Sequence, residues 1–389
     1  MTALETLAAV QPQWRGVQCA RDAVGLIDMT LLHAGPPYKD PCRPPPPVLS
    51  SAVLCCLYER WANDEAQAER LIVDGRVRLM SAQSFNVVTP LAAVISPRTS
   101  LVDITDANAT GKHAWSLLGS GAGAQIRFGS RNPAIIERMA WRDNVLAPVM
   151  QRASCASAVD LISLARTGLD GGDDLHARAT SASAALHRQL VPHLDDASVA
   201  AMLGESPLFF LTLWMAACHL ILSAAVHDPT LSTLVIALAG NGIEAGIRLA
   251  GEPSRWHTVT AVAPAGPRIN AAITVDAAPL TGDSGVIDAA GFGAQALEFA
   301  PEPASAFAPW LPDNWRARQA ALYRGANPAF SRLRMGLDAA QVAASGTGPL
   351  AAIAMIGADG RTGLLGRGVY EAPVALFTGA LDAVSPRLS

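Results

Sequence analysis

Residues 208–226 read LFFLTLWMAACHLILSAAV, an apolar run that carries His219 and no formally charged side chain. The run is about long enough to cross a bilayer. Two readings compete, a membrane span and a helix buried on every side. A span is normally anchored by Lys or Arg at its flanks, and none stands here. A central helix wrapped by other elements gives the same all-round apolarity. The buried helix is the stronger reading, and it predicts a domain built around this segment.

Outward from it, the chain divides by texture. Residues 133–228 are mainly helical, with Asp160, Asp195 and Asp196 as candidate caps. The DGGDD stretch at 170–174 interrupts them and reads as a solvated turn. Residues 1–132 mix helix and strand. Within them a polyproline stretch at 44–47 precedes an apolar helical segment at 48–61, and Asn63, Asp64 and Glu65 start a second helix. Short apolar runs at 87–95 and 101–104 read as strands, 115–118 as the end of a helix, and 124–128 as a strand. Residues 229–389 alternate strands, glycine turns and proline loops, with helical pieces near 315–323, 339–344 and 374–383. The expectation is an α+β fold in which two mixed α/β lobes flank a helical middle region.

Half of the 389 residues are apolar and 16% are charged, below the usual quarter of globular domains. A covered partner surface accounts for that shortfall, and so does an alanine-rich composition. Of 29 basic residues only Lys39 and Lys112 are lysines, the net charge is −4, and no basic stripe forms, which argues against nucleic-acid binding. The six cysteines show no CxxC pair and no metal-ligand spacing, and read as reduced thiols of a cytoplasmic protein. The N-terminus has no secretory-signal pattern.

Common catalytic signatures are missing. Gly240, Asn241, Gly242 and Gly246 imitate a dinucleotide fingerprint, but a strand rather than a helix is expected to follow. The glycine loop at 119–123 lacks the Lys and Ser/Thr of a P-loop. Asp174 and Arg178 stand four apart. On a helix they would form an ordinary ion pair, the bland reading, or hold the guanidinium for an anionic substrate. His33 follows an apolar strand-like run in a turn, where a side chain can project into a cleft.

Several segments together resemble one family. They are LHAGPP (32–37), YERWA (58–62), VISP (94–97), PAIIERMAW (133–141) and MAAC (215–218), then Asn241, Gly242, Glu244, Gly246 and Arg248, and the stretches 283–293, 335–338 and 366–373. Their order resembles the large-subunit family of oxamate carbamoyltransferase, long catalogued as a domain of unknown function. The resemblance implies phosphorolysis of oxalurate to oxamate and carbamoyl phosphate, without metal or organic cofactor. It also implies a small anionic substrate and a hetero-oligomer with an acyl-CoA-ligase-like subunit, a homodimer being a further expectation. Carried over, it makes His33, His176 and Asn241 catalytic candidates. Arg178, Arg248, Glu244, Asp283 and Ser284 become substrate-binding candidates.

The chain departs from that pattern at polar positions. Gln83, Ser84 and Phe85 replace the family's His-Glu-His, and residues 89–93 read TPLAA where the family has Gly-Pro-Met-Ala-Gly. Ser206, Pro207 and Leu208 replace Asn-Asp-His, and Leu364 and Leu365 replace Gln-Ile. Two expectations therefore stand together: a carbamoyltransferase-like subunit, or a catalytically silent scaffold that keeps the fold.

Overall fold

In a computed structural model, residues 3–226 and 228–384 are described. The architecture follows from the apolar run. Its helical part is Phe210–Ser223, and every residue from Phe210 to Leu222 is buried. At about 1.5 Å per residue such a helix is roughly 20 Å long, short of the ~30 Å hydrocarbon thickness. Among the described residues no helix is long and apolar enough to cross a membrane.

Two sheets explain why the helix is apolar all round. On one side lies a five-stranded sheet in the order Val87–Val88, His113–Leu117, Ser100–Asp106, Pro12–Cys19, Val159–Asp160. On another lies a four-stranded sheet in the order Glu252–Thr260, Glu244–Leu249, Val235–Asn241, Thr281–Gly282. The helix packs against strands of both and against the short helix Gly285–Ala290. Trp214 stacks on Phe210 and meets the edges of Phe292 and Phe330, tying the central helix to the C-terminal region. One continuous apolar core runs from Leu7 to Ala380. The α+β class expected from the sequence is the one observed.

Local signals hold in many places. Asp160 and Asp196 cap the helices Leu161–Asp170 and Ala197–Gly204, whereas Asp195 pairs with Arg152 instead. Asp64 caps Glu65–Val73. Strand Val235–Asn241 turns directly into Glu244–Leu249, an antiparallel hairpin rather than a nucleotide-binding loop.

Other expectations fail for identifiable reasons. Residues 115–118 do not end a helix, because His113–Leu117 is a strand whose residues Ala114–Leu117 are all buried. With both faces covered, the alternation that marks a strand is erased. The run 87–95 pairs at Val87–Val88 and, through one isolated bridge, at Ile95 with Leu32, and between them it is irregular backbone with Leu91 at φ 50°. Residues 124–128 hold a 3-10 turn, Ile126–Phe128, closed by Gly129. The DGGDD turn is not solvated at its end, since Asp173 and Asp174 are fully buried. Nor do Asp174 and Arg178 share a helix, because the next helix starts at Thr180.

Candidate functional site

The candidate residues fall on either side of one turn, the reversal from strand Thr281–Gly282 into helix Gly285–Ala290. Behind that turn the Asp283 carboxylate is fully buried and takes N–H donors from Gly35 (2.9 Å) and Thr89 (2.8 Å) and from the Gln83 amide (2.6 Å). Gln83 in turn accepts from the Arg248 guanidinium at 2.6 Å. Arginine and carboxylate are thus joined through a neutral amide. Burial pushes Asp283 up to about 6 and lowers Arg248.

Asn241 belongs to the same knot. Its side-chain oxygen accepts from the backbone of Ile243 and Glu244, and its amide donates to the Pro36 carbonyl. Those bonds build the hairpin and hold the 35–37 loop, so its donors do not face a ligand. A side chain at Gly35 would meet the Gly240 backbone at 2.5 Å, so the loop and the hairpin can touch only through glycine. His33 ends strand Thr30–His33, fully buried and stacked on Tyr38, with Nδ1 2.8 Å from the Ala34 carbonyl oxygen. Glu244 bonds Lys39 and Thr258. Asn241 and Arg248 are therefore tied into the bonding around Asp283, Glu244 is bonded outside it, and among the described residues His33 Nε2 and Arg248 Nε are buried without a hydrogen-bond partner. Arg248→Ala leaves the Gln83 and Pro253 oxygens unpaired, so we expect a loss of about 2 kcal/mol in denaturant unfolding.

The buried groups also set the pH response. Burial pushes His33 down to about 4 and His219 to about 3, from ordinary values near 6.5. Only the unfolded chain protonates them between those limits, so acidification below pH 6.5 removes stability. Asp174 and Asp283 are raised to about 6, so the folded chain takes up their protons first and acidification from 6 towards 3.8 adds stability. The opposing effects leave a shallow profile. Asp283→Asn removes one compensating group, and its stability should fall more steeply from pH 6 to 4.5 than the parent's, by about 1.4 kcal/mol per pH unit. Parallel profiles in thermal unfolding would mean that Asp283 stays ionised throughout.

In front of the turn lies a cleft. A cavity of ≈ 90 Å³ is bounded by Pro90, Leu91, Arg127, His176, Ser284 and Arg367, among others. It shares Pro90, Arg127, Phe128, Leu208 and Leu364 with a chamber of ≈ 390 Å³ under the glycine loop at 119–123. Ser284 makes no capping bond to the helix it precedes. His176 is fixed by its Nδ1, 2.7 Å from the buried Asp288 carboxylate, which also accepts from the backbone of Ala294 and Ala352. Gly293 is required there, because a Cβ would stand 2.2 Å from the Asp288 oxygen. Asp174 folds the His176 segment by accepting from the N–H groups of His176, Ala177 and Arg178. Arg178 pairs with Asp173 at 3.1 Å, not with Asp174, and Arg367 is held bidentately by Glu302.

Arg127 differs from these arginines. Its guanidinium lies 4.8 Å from the Phe128 ring centroid, burial pushes it down to about 10, and among the described residues its Nε, like that of Arg248, has no hydrogen-bond partner. Its backbone is pinned, since Ala92 donates to the Arg127 carbonyl beside the strained Leu91. Sequence reasoning missed Arg127, one of many arginines in the chain and the single one in the run 124–128 expected to be a strand. It also passed over Asp288, whose signal was a lone carboxylate inside the apolar stretch GVIDAA (285–290).

Residues 77–284 match the family described as oxamate carbamoyltransferase subunit AllG. The oxamate carbamoyltransferase subunit AllG of Escherichia coli K12 is 30% identical, over 98% of this chain and 96% of its own length. The uncharacterized protein YahG of the same organism is 26% identical, over 97% of this chain and 84% of its own length. A crystal structure of a conserved protein of unknown function from Enterococcus faecalis V583 covers the whole chain, and 97% of its own, with a TM-score of 0.91 and 25% identity. Match and fold agree along the full length, and the chain belongs to the oxamate carbamoyltransferase subunit AllG family.

Proposed function

We propose that this chain is a subunit of a carbamoyltransferase complex, and that its cleft binds a small ureido acid or carbamoyl phosphate. The observation that carries the reading is Arg127, a guanidinium with an unpaired buried Nε in a cavity it shares with Ser284 and the His176–Asp288 pair. Guanidinium suits planar carboxylate and phosphate, which it grips through two parallel bonds.

In the reaction, a phosphate oxygen attacks the ureido carbonyl carbon of an oxalurate-like acid. The carbon becomes tetrahedral, its bond to the amide nitrogen breaks, and oxamate and carbamoyl phosphate leave. Arg127 neutralises the carboxylate or phosphate. The Ser284 hydroxyl donates to the oxyanion as it forms. Asp288 orients His176 so that Nε2 faces the reacting groups and hands a proton to the departing nitrogen. Arg367, occupied by Glu302, adds positive potential at the wall of the smaller cavity, whereas Arg178, paired with Asp173, lies outside that lining. The complex is a cytoplasmic hetero-oligomer whose other subunits, one of them acyl-CoA-ligase-like, complete the assembly.

The test is carbamoyl phosphate formation from oxalurate and phosphate by the chain co-purified with its partners. Turnover that disappears in His176→Gln, with unchanged unfolding, supports the reading. A stable complex without turnover would favour the scaffold instead.

A further inference from the structure

The proposed anion site opens into a chamber whose chemistry does not match a substrate as small and polar as oxalurate. The ≈ 390 Å³ chamber is walled by Leu118, Phe128, Leu208, Phe209 and Leu364, with Arg127 where it meets the smaller cavity. Most of its other polar side chains are occupied, the hydroxyls of Ser120 and Thr212 being the exceptions on its wall. Arg142 is held bidentately by Asp143, Gln125 donates to the Gly121 carbonyl, and Ser206 donates to the Met202 carbonyl. A pocket of this size, mostly apolar with one unpaired cationic group at its end, fits an amphiphilic ligand. Its anion lies on Arg127 and its hydrocarbon in the chamber.

We infer that the ligand of this cleft is a ureido acid with an apolar side chain of several carbons, an N-carbamoyl amino acid rather than oxalurate. The inference rests on the anion-binding reading of Arg127 given above. It follows from where the substituent attaches. In oxalurate the carbon between carboxylate and ureido nitrogen is a carbonyl and carries no side chain. In an N-carbamoyl amino acid that carbon is tetrahedral and bears one. With the carboxylate on Arg127 and the ureido group towards Ser284 and His176, the third direction from that carbon enters the chamber.

Titration calorimetry of the co-purified complex with oxalurate, N-carbamoylglycine, N-carbamoylnorvaline and N-carbamoylphenylalanine tests this. Affinity should rise along the N-carbamoyl series by about tenfold for every two methylene equivalents buried. Thr212→Phe fills the chamber from the central helix, and Ala122→Trp narrows it from the exposed glycine loop. Both should weaken the norvaline and phenylalanine derivatives by more than tenfold and leave N-carbamoylglycine within twofold. The exposed position of Ala122 keeps the test valid if the Thr212 variant folds poorly. Oxalurate binding at least as tightly as the apolar series, with both variants indifferent to side-chain size, would overturn the inference and leave the function standing. If neither oxalurate nor any N-carbamoyl acid binds, the anion-site reading falls with it.

Discussion

Replacing Arg127 with alanine is expected to weaken ligand binding and kcat/KM at least a hundredfold while leaving the fold intact. A hydrogen bond to a charged partner contributes about 1.5–3 kcal/mol, and a guanidinium–carboxylate contact supplies two. The stability side runs the other way. Among the described residues Arg127 Nε has no partner, and burial disfavours its charged form. Removing a poorly solvated charge that no carboxylate compensates costs little and can stabilise. Arg127→Lys keeps the charge but loses the fork, so an intermediate loss of about tenfold is expected. Calorimetric binding and thermal unfolding of the same preparations separate the two effects. Unchanged affinity in Arg127→Ala would remove the residue from the site.

The largest stability effect is expected at Asp288. Its carboxylate, fully buried, accepts from His176 Nδ1 at 2.7 Å, Ala294 N at 2.8 Å and Ala352 N at 3.2 Å. Asp288→Ala strands two backbone N–H groups and an imidazole donor in the interior and opens a cavity beside Gly293. We expect a loss of about 4 kcal/mol, read from urea unfolding, since breaking one member of a buried polar set leaves the others uncompensated. Asp288→Asn keeps the volume and one acceptor, so it should cost only about 1–2 kcal/mol. It no longer fixes which His176 nitrogen carries the proton, and turnover should fall by about 10²–10⁴-fold. A fully active Asp288→Asn would reduce the pair to scaffolding.

The resemblance motifs and the cleft divide in an instructive way. LHAGPP at 32–37, Asn241 with Gly242, and Asp283 lie far apart in the chain, yet they interlock around one carboxylate. Their co-occurrence reports a folding constraint as much as a site. Of the residues given catalytic or binding candidacy, Asn241, Arg248 and Asp283 are bonded into one knot, His176 and Ser284 line the cleft, and His33, Glu244 and Arg178 belong to neither set. From sequence alone an arginine that binds substrate and one that braces a carboxylate look the same. Arg178, Arg248 and Arg367 are occupied by protein oxygens, and Arg127 was invisible until its neighbours were known.

By itself the sequence determined the buried central helix, the α+β class, the 241–244 hairpin and several helix starts. These rest on local physics: apolar periodicity, side-chain caps at Asp64, Asp160 and Asp196, and a glycine-bearing turn between two strands. Only the tertiary structure decided that 113–117 is a strand, that Asp173 and Asp174 are interior, and that Arg127 joins His176 and Ser284. Burial on both faces erases strand alternation, and a carboxylate's environment depends on donors from distant segments. Whether a charge is paired or left open to a ligand is a property of the assembled neighbourhood, which no local stretch of chain encodes.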